Sequence, residues 1–477
     1  MSQTKDKKSV NKAKDKKAQP EEKLCIWDRV GPKEREAIEA FSLGYMDFLT
    51  SCKTERKVNS HILSLFEAKG FEDLSKQPKK PKHGGYLLHH GKVLGVFVPG
   101  KADLKGGFNL IVAHGDSPRL DLKPRCVYED GNLALLKTNL YGGLKKFQWL
   151  ARPVAIWGFS TLKDGRKLDF TFGEDPSEPA LTITDILPHM DRKIQREKRL
   201  TEAFPAERLN VLAGSIPAGD KEAKMRVRLG VLRILEKKWG IREDDLLSSE
   251  IEVVPAGPAR PVGLDGSFVG GYGQDDRLSV YTAANALLPI TKPDRPLLLV
   301  VFDREEIGSY GPAGAQSNFI VRLASAAFQA MDESGCWNGV MSALANTYAM
   351  SADVECGVDP TFKEVADELN SAKLGFGPCV TRYTGAAGKY GASEASSEYM
   401  AKIRAILDGE GIIWQNSLIG KQEEGGGGTV AYNLSHFGMD IVDSGAPLLS
   451  MHSPFEISCK ADVWMTCRHY GAFLRKA

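Results

Sequence analysis

The sequence predicts an α/β fold with a mixed sheet and helices on both of its faces, interrupted by a mostly β insertion. Short apolar segments typical of buried strands alternate with amphipathic helical segments near the start and in the second half of the chain. Between them, short strands follow one another at Gly and Asp turns, with few helices. We therefore expect residues 24–118 and 260–477 to form one α/β domain and residues 119–259 an inserted domain.

Three kinds of segment are predicted in the first part of the α/β domain. Apolar residues recur at helical spacing within residues 34–53, which indicates an amphipathic helix. Residues 86–98 read as two strands joined by a turn at residues 89–92. The apolar run 109–113 is followed at once by His-Gly-Asp-Ser, which is typical of a buried parallel strand that presents polar side chains at its end.

The insertion and the second part of the α/β domain differ in their predicted elements. In the insertion we expect a charged helix over residues 221–238, with an apolar stripe of Met225, Leu229, Leu232 and Leu235, and antiparallel strands over 133–140, 154–160, 168–172 and 180–186. After residue 262, helices are expected over 278–288, 320–331 and 394–407, and strands over 296–303, 348–353 and 375–383.

Composition excludes several classes of protein. The 477-residue chain has 42% hydrophobic and 26% charged residues, as globular proteins do, and its net charge of +2 gives no general attraction to nucleic acid or acidic membranes. No apolar run reaches the roughly 18 residues of a membrane-spanning helix. The Lys-rich residues 1–23 are predicted to be disordered and contain no signal-peptide segment. Eight cysteines without a Cys-x-x-Cys pair indicate free, mostly buried thiols and a cytoplasmic location.

Side chains that can bind metals lie where several predicted strands end. They are His114 and Asp116, Asp275 and Asp276 before a helix, Asp303, Glu305 and Glu306, then Asp353, and finally His452. Strand ends of an open α/β sheet converge on one crevice, so these groups can gather there. Two imidazoles with several carboxylates suit Zn²⁺, Mn²⁺ or Co²⁺ better than Ca²⁺. The alternative is that they are ordinary polar residues, with Asp275 only capping its helix.

Five strings in order resemble the aspartyl aminopeptidase family, which is the eighteenth metallopeptidase family, and its bacterial members in particular. They are Ala-His-Gly-Asp-Ser-Pro (113–118), Asp-Asp-Arg (275–277), Phe-Asp-Arg-Glu-Glu-Ile-Gly-Ser (302–309), Met-Ser-Ala-Asp-Val (350–354) and Met-His-Ser-Pro (451–454). The resemblance extends over residues 24–474. It implies a zinc exopeptidase-like fold and hydrolysis of N-terminal residues from peptides that have a free N-terminus.

The resemblance also implies a role for each site residue. His114, Asp275 and Asp353 would hold one divalent ion, and Asp275, Glu306 and His452 a second, with Zn²⁺ expected and Co²⁺ or Mn²⁺ as alternatives. Glu305 would be the general base that activates water between the ions. Asp116 would accept a hydrogen bond from His114. The family usually has Asn where Asp276 stands, so the role of Asp276 stays open.

In the resembled family the insertion is a dimerisation domain, and one of its histidines reaches the active site of the neighbouring subunit. His189, within residues 186–190, resembles that histidine, and Tyr141-Gly142-Gly143 resembles another family string. A surface or interface role for His189 is the alternative. The resemblance implies a homodimer that assembles further into a homododecamer.

Substrate preference and reaction class stay open at this point. Eukaryotic members favour N-terminal Asp or Glu and carry a Lys in a Gly-Pro-x-x-Lys string, whereas this chain has Gly-Pro-Cys-Val-Thr at 377–381, followed by Arg382. A two-metal carboxypeptidase or N-deacylase, and a non-catalytic oligomeric binding protein, are the alternatives to an aminopeptidase.

Overall fold

The structure is a computed structural model that describes residues 24–333, 336–422 and 426–477. The predicted disordered tail, residues 1–23, lies outside the described residues. The helices are α1 (Ile26–Arg29), α2 (Pro32–Ser51), α3 (Glu55–Ala68), α4 (Leu200–Ala203), α5 (Arg226–Trp239), α6 (Gln274–Leu287), α7 (Phe319–Ala330), α8 (Trp337–Ala345), α9 (Ser397–Gly409), α10 (Val430–Leu434) and α11 (Lys460–Lys476).

The strands are β1 (Glu72–Asp73), β2 (Gly85–His89), β3 (Val93–Val98), β4 (Asn109–His114), β5 (Arg119–Asp130), β6 (Leu133–Tyr141), β7 (Pro153–Thr161), β8 (Lys167–Phe172), β9 (Leu181–Ile183), β10 (Val211–Gly214), β11 (Ser249–Pro255), β12 (Arg260–Val262), β13 (Phe268–Gly271), β14 (Leu297–Phe302), β15 (Tyr348–Ser351), β16 (Glu355–Cys356), β17 (Cys379–Thr381), β18 (Tyr383–Ala386), β19 (Tyr390–Glu394), β20 (Gln415–Asn416), β21 (Asp440–Gly445), β22 (Pro447–Leu449) and β23 (Glu456–Cys459).

The main sheet is mixed and has helices on both faces, as the sequence predicts. Its strand order is β1-β2-β3-β14-β4-β15-β21-β17-β20, with β4 parallel to both β14 and β15. Alternate residues of β4 enter different cores: Ile111 packs with helices α2, α3, α6, α9 and α11, while Leu110 and Val112 pack with α7, α8 and α10. This alternation follows from the two-residue period of a strand. Every residue of β4 is buried, which explains its continuous apolar run.

A second, seven-stranded sheet is formed by strands between Arg119 and Pro255, in the order β11-β5-β6-β10-β9-β7-β8. Its strand pairs are antiparallel, and α5 packs on it through Val227 and Val231. The predicted helix start at residue 221 is wrong, because Met225 has a positive φ of 52° and is 59% exposed. The Arg226 guanidinium and carbonyl both bond to Ala218, so the preceding residues close a loop before the helix begins.

A third sheet, β12-β13-β23-β22-β16, was not predicted. Its strands have only two to four residues, too few for a periodic pattern to show. The predicted strand over 375–383 is likewise only the three residues of β17. All eight cysteines are free, but four rather than most are buried. Within the described residues, no helix has the length and apolar character needed to cross a membrane.

Candidate metal centre

The five predicted metal ligands come together at one end of the main sheet. His114 ends β4, Asp353 follows β15, and Glu306 lies in the turn Glu305–Ile307 that follows β14. Asp275 lies at the start of α6, and His452 lies between β22 and β23. All five, with Glu305, line a cleft of about 560 Å³. Three of the five thus follow strands of the main sheet, whereas Asp275 reaches the cleft from α6 and His452 from the third sheet.

Asp275 lies between the two imidazoles and faces each of them with a different carboxylate oxygen. Its Oδ1 is 3.3 Å from Nε2 of His114, and its Oδ2 is 3.1 Å from Nε2 of His452. Nε2 of His452 is also 3.4 Å from Oε1 of Glu306. Nε2 of His114 is 3.9 Å from Oδ1 of Asp353. One carboxylate with a histidine at each oxygen has the arrangement of a bridging ligand.

The ligand atoms suit a cation because of their chemical types and because two of them have no hydrogen-bond donor among the described residues. His114, Asp275 and Glu306 each offer one atom within 4.8 Å of the others. Oδ1 of Asp275 and Oε1 of Glu306 are buried and have no hydrogen-bond partner among the described residues. Buried carboxylate oxygens are costly unless they are paired. Two imidazoles and several carboxylates around unpaired oxygens therefore fit a divalent ion of the zinc type.

Asp276, whose role the sequence left open, lies at the edge of this group. It forms a second possible ligand set with His114 and Asp353. Its Oδ2 accepts a 3.4 Å hydrogen bond from the backbone N–H of His114, and its Oδ1 has no partner among the described residues. Burial raises the pKa of Asp276 well above its usual value. The geometry thus gives Asp276 a contact with His114 through the backbone.

Both histidines turn Nε2 toward the cleft and Nδ1 toward a backbone carbonyl. Nδ1 of His114 lies 3.0 Å from the carbonyl oxygen of Asp116, and Nδ1 of His452 lies 3.1 Å from that of Gly143. A carbonyl only accepts, so each Nδ1 carries a proton, and Nε2 is the nitrogen that each ring turns toward the cleft. This is the usual arrangement of metal-binding histidines. The sequence expectation placed the His114 bond on the Asp116 side chain, which lies at 3.4 Å.

The Asp116 carboxylate, besides facing Nδ1 of His114, also binds the turn that carries Glu305 and Glu306. The backbone N–H groups of Glu305 and Glu306 donate to it at 3.2 and 3.3 Å, and the Tyr141 hydroxyl donates at 2.9 Å. Burial opposes its charge, but hydrogen bonding to His114 and Tyr141 outweighs that effect and lowers the pKa of Asp116. A charged Asp116 therefore fixes the orientation of the Glu305–Glu306 turn.

Glu305 lines the cleft beside the ligand group. Burial raises the pKa of its carboxyl to about 7, although the nearby His114 opposes the shift. A carboxyl with a pKa near the working pH can both accept and return a proton. Burial raises the pKa of Glu306 well above its usual value. Both glutamates line the cleft, but of the two only Glu306 has a carboxylate oxygen within 4 Å of His452 among the described contacts.

Sequence reasoning missed Glu456, whose carboxylate joins the segment that carries His452 to the segment that carries Asp275. Its carboxylate accepts from the backbone N–H of His452 at 2.7 Å, from that of Asp275 at 3.3 Å and from that of Gln274. Burial raises its pKa to about 8. It lies on β23, one of the short strands that leave no periodic signal. Its position four residues after His452 was the only available clue.

Arg277, the last residue of the Asp-Asp-Arg string, is fully buried and bonds to backbone carbonyls around the start of α6. Its guanidinium donates to the carbonyls of Leu49 at 3.0 Å and of Cys52 at 2.6 Å, and also to those of Gly273 and Tyr272. These bonds tie the start of α6 to the end of α2. The role of Arg277 is therefore structural: it fixes the backbone that carries Asp275.

His189 and the glycines near residue 426 are not among the proposed ligands, and they differ in whether they line the cleft. His189 is exposed on the surface and is not among the described residues that line the cleft. Four consecutive glycines occupy positions 425–428 of the sequence; Gly425 lies outside the described residues, whereas Gly426, Gly427 and Gly428 line the same cleft as Glu305 and Glu306. The glycines therefore belong to the cleft wall, where a backbone without side chains leaves room for a ligand.

Comparison with known proteins identifies relatives over almost the whole chain. Residues 48–474 match the family model described as aminopeptidase I zinc metalloprotease (M18). A probable M18 family aminopeptidase 1 of Thermotoga maritima is 41% identical over 458 residues, which are 95% of this chain and 99% of that protein. One of Clostridium acetobutylicum is 40% identical over 455 residues, 94% of this chain and 97% of the other.

Solved structures share the fold. The crystal structure of the Thermotoga maritima M18 aminopeptidase is 41% identical, with a TM-score of 0.91 over 96% of this chain and 100% of that one. Aminopeptidase I of Clostridium acetobutylicum matches with a TM-score of 0.87, 38% identity and coverage of 94% and 98%. The S. cerevisiae mApe1 dodecamer, at 19% identity, has a TM-score of 0.73 over 92% of this chain and 97% of that one.

Proposed function

Because the chain belongs to the M18 family of aminopeptidase I zinc metalloproteases, we propose that it removes N-terminal residues from peptides at a centre of two divalent metal ions. Zn²⁺ is the proposed metal, with Co²⁺ or Mn²⁺ as alternatives. The observation that carries the proposal is the position of Asp275, with one carboxylate oxygen toward His114 and the other toward His452. Two ions, one bound at each carboxylate oxygen of Asp275, would account for both of these contacts.

The proposed ligands divide around Asp275. His114, Asp275 and Asp353 would hold one ion, and Asp275, Glu306 and His452 the other. The chemistry that such ions supply when bound is Lewis acidity, which polarises a carbonyl and lowers the pKa of water. Proton transfer would be carried out by residues of the chain itself.

Glu305 is the proposed general base. Its carboxylate takes a proton from water as the water oxygen attacks the scissile carbonyl carbon, and returns that proton to the amine as the C–N bond breaks. Its support is positional: the Glu305 backbone is anchored on Asp116, and its side chain faces the cleft.

The cleft wall favours a neutral N-terminal residue. No Lys or Arg is among the described residues that line it, whereas Glu355 is. Arg382 pairs with Glu394 at 3.0 Å and is not part of the described lining. Among the described lining, an acidic substrate side chain would meet no lysine or arginine, and burying an unpaired charge is costly. Apolar side chains such as Ile419 and Met451 lie in the same wall.

Peptide and aminoacyl-amide panels test the function and the preference together. We expect leucyl and methionyl substrates to be hydrolysed with a kcat/KM at least about tenfold above aspartyl and glutamyl ones. N-acetylated versions of the same peptides should be inert, because an aminopeptidase needs a free amine. Hydrolysis of blocked peptides would contradict the proposed function, whereas faster cleavage after acidic residues would contradict only the preference.

The proposed active unit is a homodimer formed through the second sheet, with further assembly into a dodecamer. Exposed apolar side chains flank His189 on that part of the chain, with Leu187 at 49%, Met190 at 65% and Leu200 at 61% exposure. Such exposure is typical of a surface that a partner covers. The mApe1 of S. cerevisiae, which shares the fold, is a dodecamer. His189 would then reach the cleft of the neighbouring subunit and donate a hydrogen bond to the developing oxyanion.

His189→Ala should lower kcat by about 10²–10³-fold, the usual effect of losing one oxyanion donor, and leave the metal content unchanged. Mixing it with inactive Glu305→Gln should restore part of the activity when subunits exchange, because one site of a mixed dimer then has Glu305 and His189 from different chains. An active monomer by light scattering, or verified mixed dimers without activity, would exclude this arrangement.

A further inference from the structure

Three consecutive residues at the end of β6 of the second sheet, Tyr141 to Gly143, lie against the proposed ligands and against Asp116. Tyr141 is the last residue of β6, and Gly142 and Gly143 follow it directly. The metal ligands themselves all lie on elements outside this sheet. We call residues 141–143 the bridging segment.

Tyr141 acts on one histidine through Asp116. The buried Tyr141 hydroxyl donates to Oδ2 of Asp116 at 2.9 Å. The same carboxylate accepts from the backbone of Glu305 and Glu306, and the Asp116 carbonyl accepts from Nδ1 of His114. A change in the position of Asp116 would therefore move both His114 and the turn that carries Glu305.

Gly143 acts on the other histidine directly. Its carbonyl oxygen lies 3.1 Å from Nδ1 of His452, a contact between residues 309 positions apart in sequence. Gly142 has a φ of +74°, and a Cβ on it would lie 3.3 Å from Cβ of Glu306 and 3.2 Å from Cα of Pro118. Only a residue without a side chain fits easily at this position. The backbone of the bridging segment thus packs directly against a proposed ligand.

The ring of Tyr141 packs against the guanidinium of Arg119. Arg119 is its partner across the β5–β6 pair, and the guanidinium lies 3.8 Å from the ring centroid. Arg119 is in turn held by Asp121 at 2.9 Å and Glu252 at 3.2 Å, both on the second sheet. A buried, charge-paired guanidinium against an aromatic face restricts the ring to one position.

We propose that the bridging segment positions both metal-binding histidines, with Tyr141 as a positioning residue that acts through Asp116. The second sheet then helps to fix the orientation of His114 and His452, in addition to its proposed role in dimerisation. This inference rests on the proposed function for the presence of metal at the site. Partners of the second nitrogen of metal-binding histidines typically change metal affinity by 10–100-fold when they are lost.

Tyr141→Phe tests the proposal, because it removes one hydroxyl and keeps the ring against Arg119. Competition of the purified protein with a chelator for Zn²⁺ should show about 10–100-fold weaker binding. In the Zn²⁺-saturated variant, kcat should fall while KM stays near the wild-type value. Tyr399→Phe is the matched control: its buried hydroxyl donates to the carbonyl of Ala349 at 2.8 Å, so it also loses one buried hydrogen bond, but away from the ligands. Its Zn²⁺ affinity should be that of the wild type.

Equal Zn²⁺ affinity of Tyr141→Phe and wild type, or equal weakening by Tyr141→Phe and Tyr399→Phe, would overturn the proposal. Gly142→Ala is a second variant, expected to weaken Zn²⁺ binding because its methyl group pushes on Glu306. Wild-type Zn²⁺ affinity in folded Gly142→Ala would also count against the bridging segment. Failure of the wild-type protein to bind any of Zn²⁺, Co²⁺ and Mn²⁺ would instead refute the proposed function on which this inference rests.

Discussion

Glu305→Gln is expected to keep the fold and the metal content of the wild type while lowering kcat by about 10²–10⁴-fold. The amide has nearly the same shape as the carboxylate but cannot accept the proton of the attacking water. Glu305 is not assigned as a ligand, and its backbone bond to Asp116 does not involve the side chain. Circular dichroism, metal analysis by mass spectrometry and kinetics on a leucyl amide measure the three quantities.

Glu306→Gln is the matched control for this result, because the two glutamates are adjacent and differ only in which way they face. Oε1 of Glu306 is 3.4 Å from Nε2 of His452, so its replacement should reduce metal content as well as activity. Turnover by Glu305→Gln close to that of the wild type would show that another group is the base. Equal metal loss in both variants would show that Glu305 is a ligand.

Metal stoichiometry should differ among three ligand variants. His114→Ala and His452→Ala are each expected to lose one ion per subunit and most activity, whereas Asp275→Ala should lose both. The reason is geometric: each imidazole faces one oxygen of Asp275, so a terminal ligand serves one ion and the bridge serves two. Mass spectrometry of the purified variants gives the ion count. EDTA should abolish activity in the wild type, and added Zn²⁺ should restore it.

His61→Ala is a suitable control for the loss of a histidine outside the site. His61 lies on α3, where its ring packs 5.2 Å from that of Phe48, so its loss should leave two ions bound. The same metal loss in His114→Ala, His452→Ala and Asp275→Ala would contradict the bridging position of Asp275. One ion per subunit in the wild-type protein would contradict the two-ion centre itself.

Much of the main sheet could be predicted because its central strands are buried on both faces. The runs that became β4 and β14 are continuously apolar, and each ends in charged or imidazole side chains. Both features follow from chemistry that is local to the segment. By contrast, α5 begins five residues later than predicted, because its start depends on bonds between Arg226 and Ala218 that lie outside any helical repeat.

The sequence by itself indicated which side chains could serve as metal ligands and that several of them follow strand ends, because an apolar strand and the polar residues after it are adjacent in the chain. Only the tertiary structure decided how those groups face one another. Asp275 lies between two imidazoles, Glu456 ties His452 to Asp275, and Gly143 orients His452 from another sheet. These contacts join residues up to 309 positions apart through backbone carbonyls and single hydrogen bonds. Such contacts leave no periodic signal, so only the packed chain brings them together.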